Sequence, residues 1–288
     1  MRLPAMRKRE LAHSRRHHYV ARFYLRNFAT PMFGEQILVY TRSSRRWEEG
    51  TTRGVGWFPH LYTMFDDMGE RTDAFECFVT EEVETPAAPA LRKAAATPET
   101  LTAGEREAIA MFMGVTIART PAMLATGRQG YFEGLPADEV HDLDKLARLW
   151  AAYVGLPKDK DVRTEFMKPS AFGAILVWAA SFRDRVTRWD WHFVRTTRDA
   201  PFATSDWPVY AERDRVHGIY FVQFPISAEI ALVANSAGEL RQERDPKEDV
   251  RATNRGTLQR ACEFAVSCCA SFPGDGYLSE WSERCAGP

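Results

Sequence analysis

The chain has 288 residues, 45% hydrophobic and 12% aromatic, with a formal net charge of -1, which is enough apolar material for one large domain with a substantial core. Its longest apolar run, residues 108–118, falls far short of the roughly 20 residues a membrane helix needs, so no transmembrane span is expected. Five cysteines, at 77, 262, 268, 269 and 285 and without a CxxC spacing, argue against a disulfide framework and a four-cysteine zinc site.

Charge is lopsided. Residues 1–26 hold eight Lys or Arg against Glu10, a segment of +7 that leaves -8 for the remainder. The basic segment suits tracking of phosphates or an acidic partner, and its arm over residues 1–12 equally suits a solvated tail; without the apolar region of a secretory signal, a cytoplasmic location is expected. The domain proper is expected over 13–288. Beyond the first 30 positions the aromatic residues are not interleaved with basic ones along the chain.

The stretch "HSRRHHYVARFYLRNFA", residues 13–29, combines three histidines, four arginines and four aromatics. Val20, Tyr24, Leu25 and Phe28 fall at helical spacing, which predicts a short helix over 19–28 with His17 and His18 in its first turn. His18 then shares a face with Arg22. "ILVYTRSSRRWEEG" reads as two strands around a polar bend, and residues 54–72 as an aromatic loop. Residues 73–93 read as a helix that Pro86 and Pro89 kink or break. A strong helix over 103–119 ends where Thr120 precedes Pro121. Further helices are predicted at 137–154 and 170–188, joined by the connector "GLPKDKD".

After Trp189 the segments "WHFVRTT", "PFATSD", "GIYFVQFPIS" and "EIALVAN" are rich in β-branched and aromatic residues and read as an antiparallel sheet. A closing helix is expected over 247–267. The order predicts an α+β fold, with a helical layer packed against an antiparallel β-sheet.

No phosphate-loop, dinucleotide-binding, zincin or nucleophile-elbow signature is present, so any site has to be assembled from distant segments. Histidine titrates near neutrality and binds metals, which singles out His17 and His18. Ser205 and Asp206 follow an apolar strand in "FATSDWPVY"; Asp206 suits metal ligation or the orientation of a histidine, and both residues equally suit a turn. Arg119 closes an apolar helix and needs a carboxylate or phosphate partner if buried: an ion pair with Glu84, or an anionic ligand. The adjacent thiols Cys268 and Cys269 read as buried or idle, with redox activity the alternative.

These positions lie in motifs that resemble the bacterial and fungal family called domain of unknown function 4238. The family opens on His-Tyr-Val-Pro-Arg-Phe-Tyr-Leu-Arg-Asn-Phe, and this chain has "HYVARFYLRNF" from His18 to Phe28, with Ala21 at the proline position. Further matches are "LVY" at 38–40, "LYT" at 61–63, "AAPALRK" at 87–93, "ARTP" at 118–121, "TSDWPV" at 204–209, "FPIS" at 224–227 and Asn254. The family pattern falls on His18, Arg22, Glu84, Arg119, Ser205 and Asp206, and the resemblance implies no activity.

The leading expectation is a hydrolase acting on a phosphodiester or nucleic acid. In it His18, Asp206 and Glu84 do the chemistry and a divalent metal sits on His18 and Asp206. His17, Arg22, Arg119, Ser205 and Asn254 contact the substrate. The alternative is a non-catalytic protein that binds a nucleotide, RNA or another anionic ligand in the same pocket. A third reading makes the polar set a buried ion-pair network.

Overall fold

A computed structural model describes residues 15–30, 34–65, 71–126, 142–154, 161, 172–214, 218–236 and 246–284. The basic arm, the connector at 155–160, the expected helix starts at 137–141 and 170–171, and Cys285 lie outside them.

The chain opens with strand β1 (Arg16–His18), helix α1 (Arg22–Leu25) and a 3-10 turn over Arg26–Phe28. Strands β2 (Gln36–Thr41), β3 (Trp47–Thr51), β4 (Trp57–Pro59), β5 (Met64–Phe65) and β6 (Arg71–Thr72) follow. The helical part comprises α2 (Ala74–Phe78), a π-helical segment (Val79–Glu84), α3 (Thr85–Ala96), α4 (Ala103–Ala118), α5 (Pro121–Thr126), α6 (Leu143–Val154) and α7 (Gly173–Val186). Strands β7 (Asp190–Arg195), β8 (Thr204–Ser205), β9 (Tyr210–Asp214), β10 (Gly218–Ser227) and β11 (Ile230–Asn235) come next. Helix α8 (Pro246–Arg260), β12 (Phe264–Ser267) and α9 (Tyr277–Arg284) close the chain.

Four sheets form among the described residues: β7-β11-β10-β9, β3-β2-β12-β8, and the pairs β1-β4 and β5-β6. Every pairing is antiparallel, so the α+β expectation holds. One continuous core joins residues of α3, α4 and α7 to Val222, Phe224 and Leu232 of β10–β11 and to Val39 and Val266 of β2 and β12. Tyr24 stands at its centre. Its ring stacks on Phe224 with centroids 5.2 Å apart, and its hydroxyl lies 2.7 Å from both Thr204 Oγ1 and the Pro225 carbonyl. One side chain of α1 thereby ties the two larger sheets together.

Helix α4 starts at a capping box: Thr102 Oγ1 accepts the Glu105 N–H at 3.3 Å, and the Glu105 carboxylate accepts the Thr102 N–H at 2.8 Å. That exchange satisfies two of the N–H groups a helix start leaves open. The helix ends at Ala118, as Pro121 predicts. It crosses α7 at Gly114, where an added Cβ would fall 2.8 Å from the Ala179 carbonyl oxygen. Only a residue without a side chain permits that approach.

Three expectations are corrected. His17 and His18 lie in β1, not in a helix: Arg16, His17 and His18 pair with Pro59, Phe58 and Trp57, and the amides of Tyr19 and Val20 both donate to the Gly56 carbonyl. These long-range partners hold the chain extended, so the helix begins only at Arg22 and His18 shares no helix face with it. The supposed loop at 54–72 supplies the partner strand β4 together with β5 and β6. The closing helix stops at Arg260, because "FAVS" inserts as β12 between β2 and β8 with all four residues buried.

The prolines at 86 and 89 neither break nor end the helical run at 74–96. Pro86 lacks an N–H and its ring crowds the carbonyl four residues back. The chain widens instead into the π segment, where the Thr85 N–H reaches the Thr80 carbonyl, five back. Thr85 Oγ1 donates to the same oxygen at 2.8 Å.

Candidate functional site

The predicted residues fall into two separate groups. The first lies at the seam between β8, α8 and β12. Asp206 Oδ1 accepts the Cys262 N–H at 2.9 Å and Oδ2 the Glu263 N–H at 2.7 Å, so both oxygens bind the backbone that turns α8 into β12. Burial pushes its carboxyl up to about 7, against the pull of those amides and that of Phe264. Ser205 is fully buried; its Oγ accepts the Trp207 N–H at 3.1 Å and donates to the Thr257 carbonyl at 3.5 Å. Asn254 is 0% exposed. Its Oδ1 accepts the Ala203 N–H at 2.8 Å, and its Nδ2 donates to the carbonyls of Pro201 at 3.0 Å and Pro273 at 2.7 Å.

The second group surrounds β1, α2 and the end of α4. Arg119 is 1% exposed. Its Nε donates to the Tyr19 carbonyl at 3.0 Å and its Nη2 to Glu84 Oε1 at 2.7 Å. Burial works against its charge, but Glu84, Tyr62 and Glu76 outweigh it and hold its pKa above the usual value. The ion pair with Glu84 is therefore formed, and the guanidinium is not open to a ligand. Tyr62, also fully buried, donates from its hydroxyl to the Arg119 carbonyl at 2.8 Å.

The ring of His17 stacks on that of Tyr62, 5.7 Å apart and 7° from parallel. Its Nδ1 accepts the Tyr62 N–H at 2.8 Å. An acceptor Nδ1 puts the proton on Nε2, which faces Asp73 Oδ1 at 3.3 Å.

His18 points elsewhere. Burial, then the charges of Arg22, Arg119 and Arg16, lower its pKa to about 4, while the carbonyl of Arg53 opposes the shift. Asp206 spends both oxygens on the Cys262 and Glu263 amides and His18 Nε2 has no hydrogen-bond partner, so no bond joins the proposed His18–Asp206 pair. Among the described residues no group of three or more His, Cys, Asp or Glu stands together to hold a metal ion. Arg22 is engaged by Glu35, at 3.2 Å from Nη2 to Oε1.

Glu76, absent from the sequence prediction, joins this group. Burial raises its carboxyl to about 7; Arg119 opposes, Glu84 and Asp73 add, and the backbone of His18 hydrogen-bonds it. Glu76 Oε2, His18 Nε2 and Arg22 Nε are buried without a hydrogen-bond partner. Helical periodicity hid Glu76 among its neighbours Glu81 and Glu82; its position three residues beyond Asp73 was the available signal.

Beside His17 a cavity of about 170 Å³ opens, lined by Arg15, His60, Thr63, Arg71 and Asp73. Arg15, His60 and Arg71 are exposed, and neither arginine has an ion-pair partner among the described residues. The His60 N–H donates to the Arg15 carbonyl at 3.3 Å, which joins the end of β4 to the start of β1. His60 is held at φ 54°, a left-handed conformation uncommon outside glycine and costing about 1 kcal/mol or more. These residues escaped sequence reading because His60 and Arg71 lay in the supposed loop and Arg15 in a general run of positive charge.

A family model described as "Protein of unknown function (DUF4238)" matches residues 16–271, nearly the whole chain, and the chain belongs to that family. No curated protein matches it, and no solved structure matches it. Among the described residues no helix is long and apolar enough to cross a membrane.

Proposed function

For this member of the family we propose the binding of a phosphate-bearing ligand in the cavity between β1, β4 and β6. One observation carries the reading: Arg15 and Arg71, both exposed and unpaired among the described residues, converge with His60 and Thr63 on a space of about 170 Å³. A guanidinium without a carboxylate is a ready partner for phosphate oxygens, which it matches in fork geometry. Asp73 lines the same cavity and faces His17 Nε2 at 3.3 Å. The anion clamp expected at Arg22 and Arg119 is thus moved to Arg15 and Arg71, since Glu35 and Glu84 already engage the former pair.

The test is calorimetric titration with pyrophosphate and with a nucleoside monophosphate at low ionic strength. Arg15→Ala and Arg71→Ala should each lose binding, while Arg46→Ala, an exposed arginine paired with Glu48 on another strand, should keep it. Absence of binding by either ligand, or binding indifferent to both cavity variants, would sink the reading.

A further inference from the structure

We propose that the ligand is single-stranded nucleic acid, with a phosphate in the Arg15–Arg71 cavity and an unpaired base stacked on Phe58. This rests on the anion-binding reading above and names its ligand class.

Phe58 is the exposed large hydrophobic residue of the described chain, at 43%. Apolar rings of that size are normally covered. One side of the ring packs on Tyr19, with centroids 5.8 Å apart, so the ring is held in place while the rest faces solvent. A planar ring fixed on one side and open on the other is the platform on which bases stack, whatever their identity.

The surroundings are cationic. Arg15 of the cavity stands two residues before His17, the strand partner of Phe58, and on the other face of the ribbon the Arg16 guanidinium lies over the Trp57 ring at 4.5 Å. Two residues beyond Phe58 stands His60 of the cavity, about 7 Å away along an extended chain, the scale of one nucleotide. The β1–β4 ribbon thereby produces in space the alternation of basic and aromatic side chains that is missing along the sequence. One strand brings Arg15 and Arg16, the other Trp57, Phe58 and His60.

Charge selects a polyanion, and the open ring selects one with planar groups. An acidic peptide meets only the first requirement. A duplex buries its base faces in the stack, so it meets the charge requirement but not the stacking one.

Fluorescence anisotropy with labelled single-stranded DNA and RNA ten-mers of one sequence, their duplexes and an abasic oligomer tests the proposal. Both single strands should bind. Phe58→Ala should weaken them roughly 10-fold and leave pyrophosphate affinity unchanged, Phe58→Trp should restore binding, and the abasic oligomer should not distinguish Phe58→Ala from the native chain. Arg71→Ala should weaken oligonucleotide and pyrophosphate alike. Oligonucleotide affinity untouched by Phe58→Ala, with pyrophosphate still bound, overturns base stacking but spares the anion cavity. Duplex or polyglutamate binding as tight as the single strand also overturns it. Loss of pyrophosphate binding from the native chain takes down the cavity reading itself.

Discussion

The β8–α8–β12 seam and the β1–α2–α4 cluster are both buried, both polar and both rich in the residues that sequence motifs single out, yet they spend their hydrogen bonds differently. At the seam Asp206, Ser205 and Asn254 bond to main-chain amides and carbonyls. They replace bonds that an irregular, buried backbone cannot make for itself, and their capacity is filled by the fold. In the cluster Arg119 likewise reaches the Tyr19 carbonyl but also spends its charge on Glu84, and the capacity is not filled. Atoms of His18, Arg22 and Glu76 there remain without partners, and the cluster borders an open cavity with unpaired cations. Buried polarity alone is therefore a poor guide to function; whether the fold fills its hydrogen-bonding capacity is a better one.

Four measurements can break or sharpen this contrast. The largest effect is expected from Arg119→Ala, which leaves Glu84 and the Tyr19 carbonyl stranded and should cost about 3 to 5 kcal/mol in urea unfolding. A loss under 1 kcal/mol would mean that the pair is not structural. Asn254→Ala frees one amide and two carbonyls in the interior and should cost about 2 to 4 kcal/mol, with pyrophosphate affinity unchanged where the variant is folded. Altered affinity would put the seam back into the site.

The third concerns pH. The folded pKa of Glu76, about 7, lies above its ordinary 4.5, so its contribution is fully present below pH 4.5 and is lost as pH rises through 7. That loss is worth about 3 kcal/mol at most. For His18 the folded value, about 4, lies below the ordinary 6.5, so its contribution is present above pH 6.5 and disappears as pH falls through 4. Glu76→Gln should flatten the alkaline decline in stability, and His18→Gln the acid one; superimposable pH profiles would show that neither group is desolvated. The smallest stability effect belongs to Arg71→Ala, under about 0.5 kcal/mol, in a variant that nonetheless loses pyrophosphate. Among these changes it alone should separate binding from folding.

Much of the architecture was legible. Helix α4 and its end before Pro121, the antiparallel run after Trp189 and, as one of two alternatives, the pairing of Arg119 with Glu84 follow from the proline stop, β-branched and aromatic content and the cost of burying a lone cation. The failures have a common cause. His17 and His18 sit beside a helical pattern, and only β4, some 40 positions away, holds them extended. "FAVS" continues a helical segment, and only the gap between β2 and β8 makes it a strand. Periodicity reports a residue's preference, whereas these segments are decided by partners that no local window contains. The cavity was invisible for the same reason, since β1, β4 and β6 each contribute a fragment that means little alone.

The bonding of Tyr24 has a consequence for how the chain is made. The first strand and helix are synthesised early and β1 finds β4 soon after, but the partners of the Tyr19 carbonyl and the Tyr24 hydroxyl are Arg119, Thr204 and Pro225. At about 5 to 20 residues per second, the aromatic residues of this segment wait roughly 10 to 40 s for the second half of the molecule to emerge. During that interval Tyr19 and Phe23 can already meet Phe58 and Phe112, but Tyr24 still lacks Thr204, Pro225 and Phe224, and charges beside an exposed apolar segment oppose its aggregation. The arginines at 16, 22 and 26 thus serve the chain during its birth as well as in its finished form.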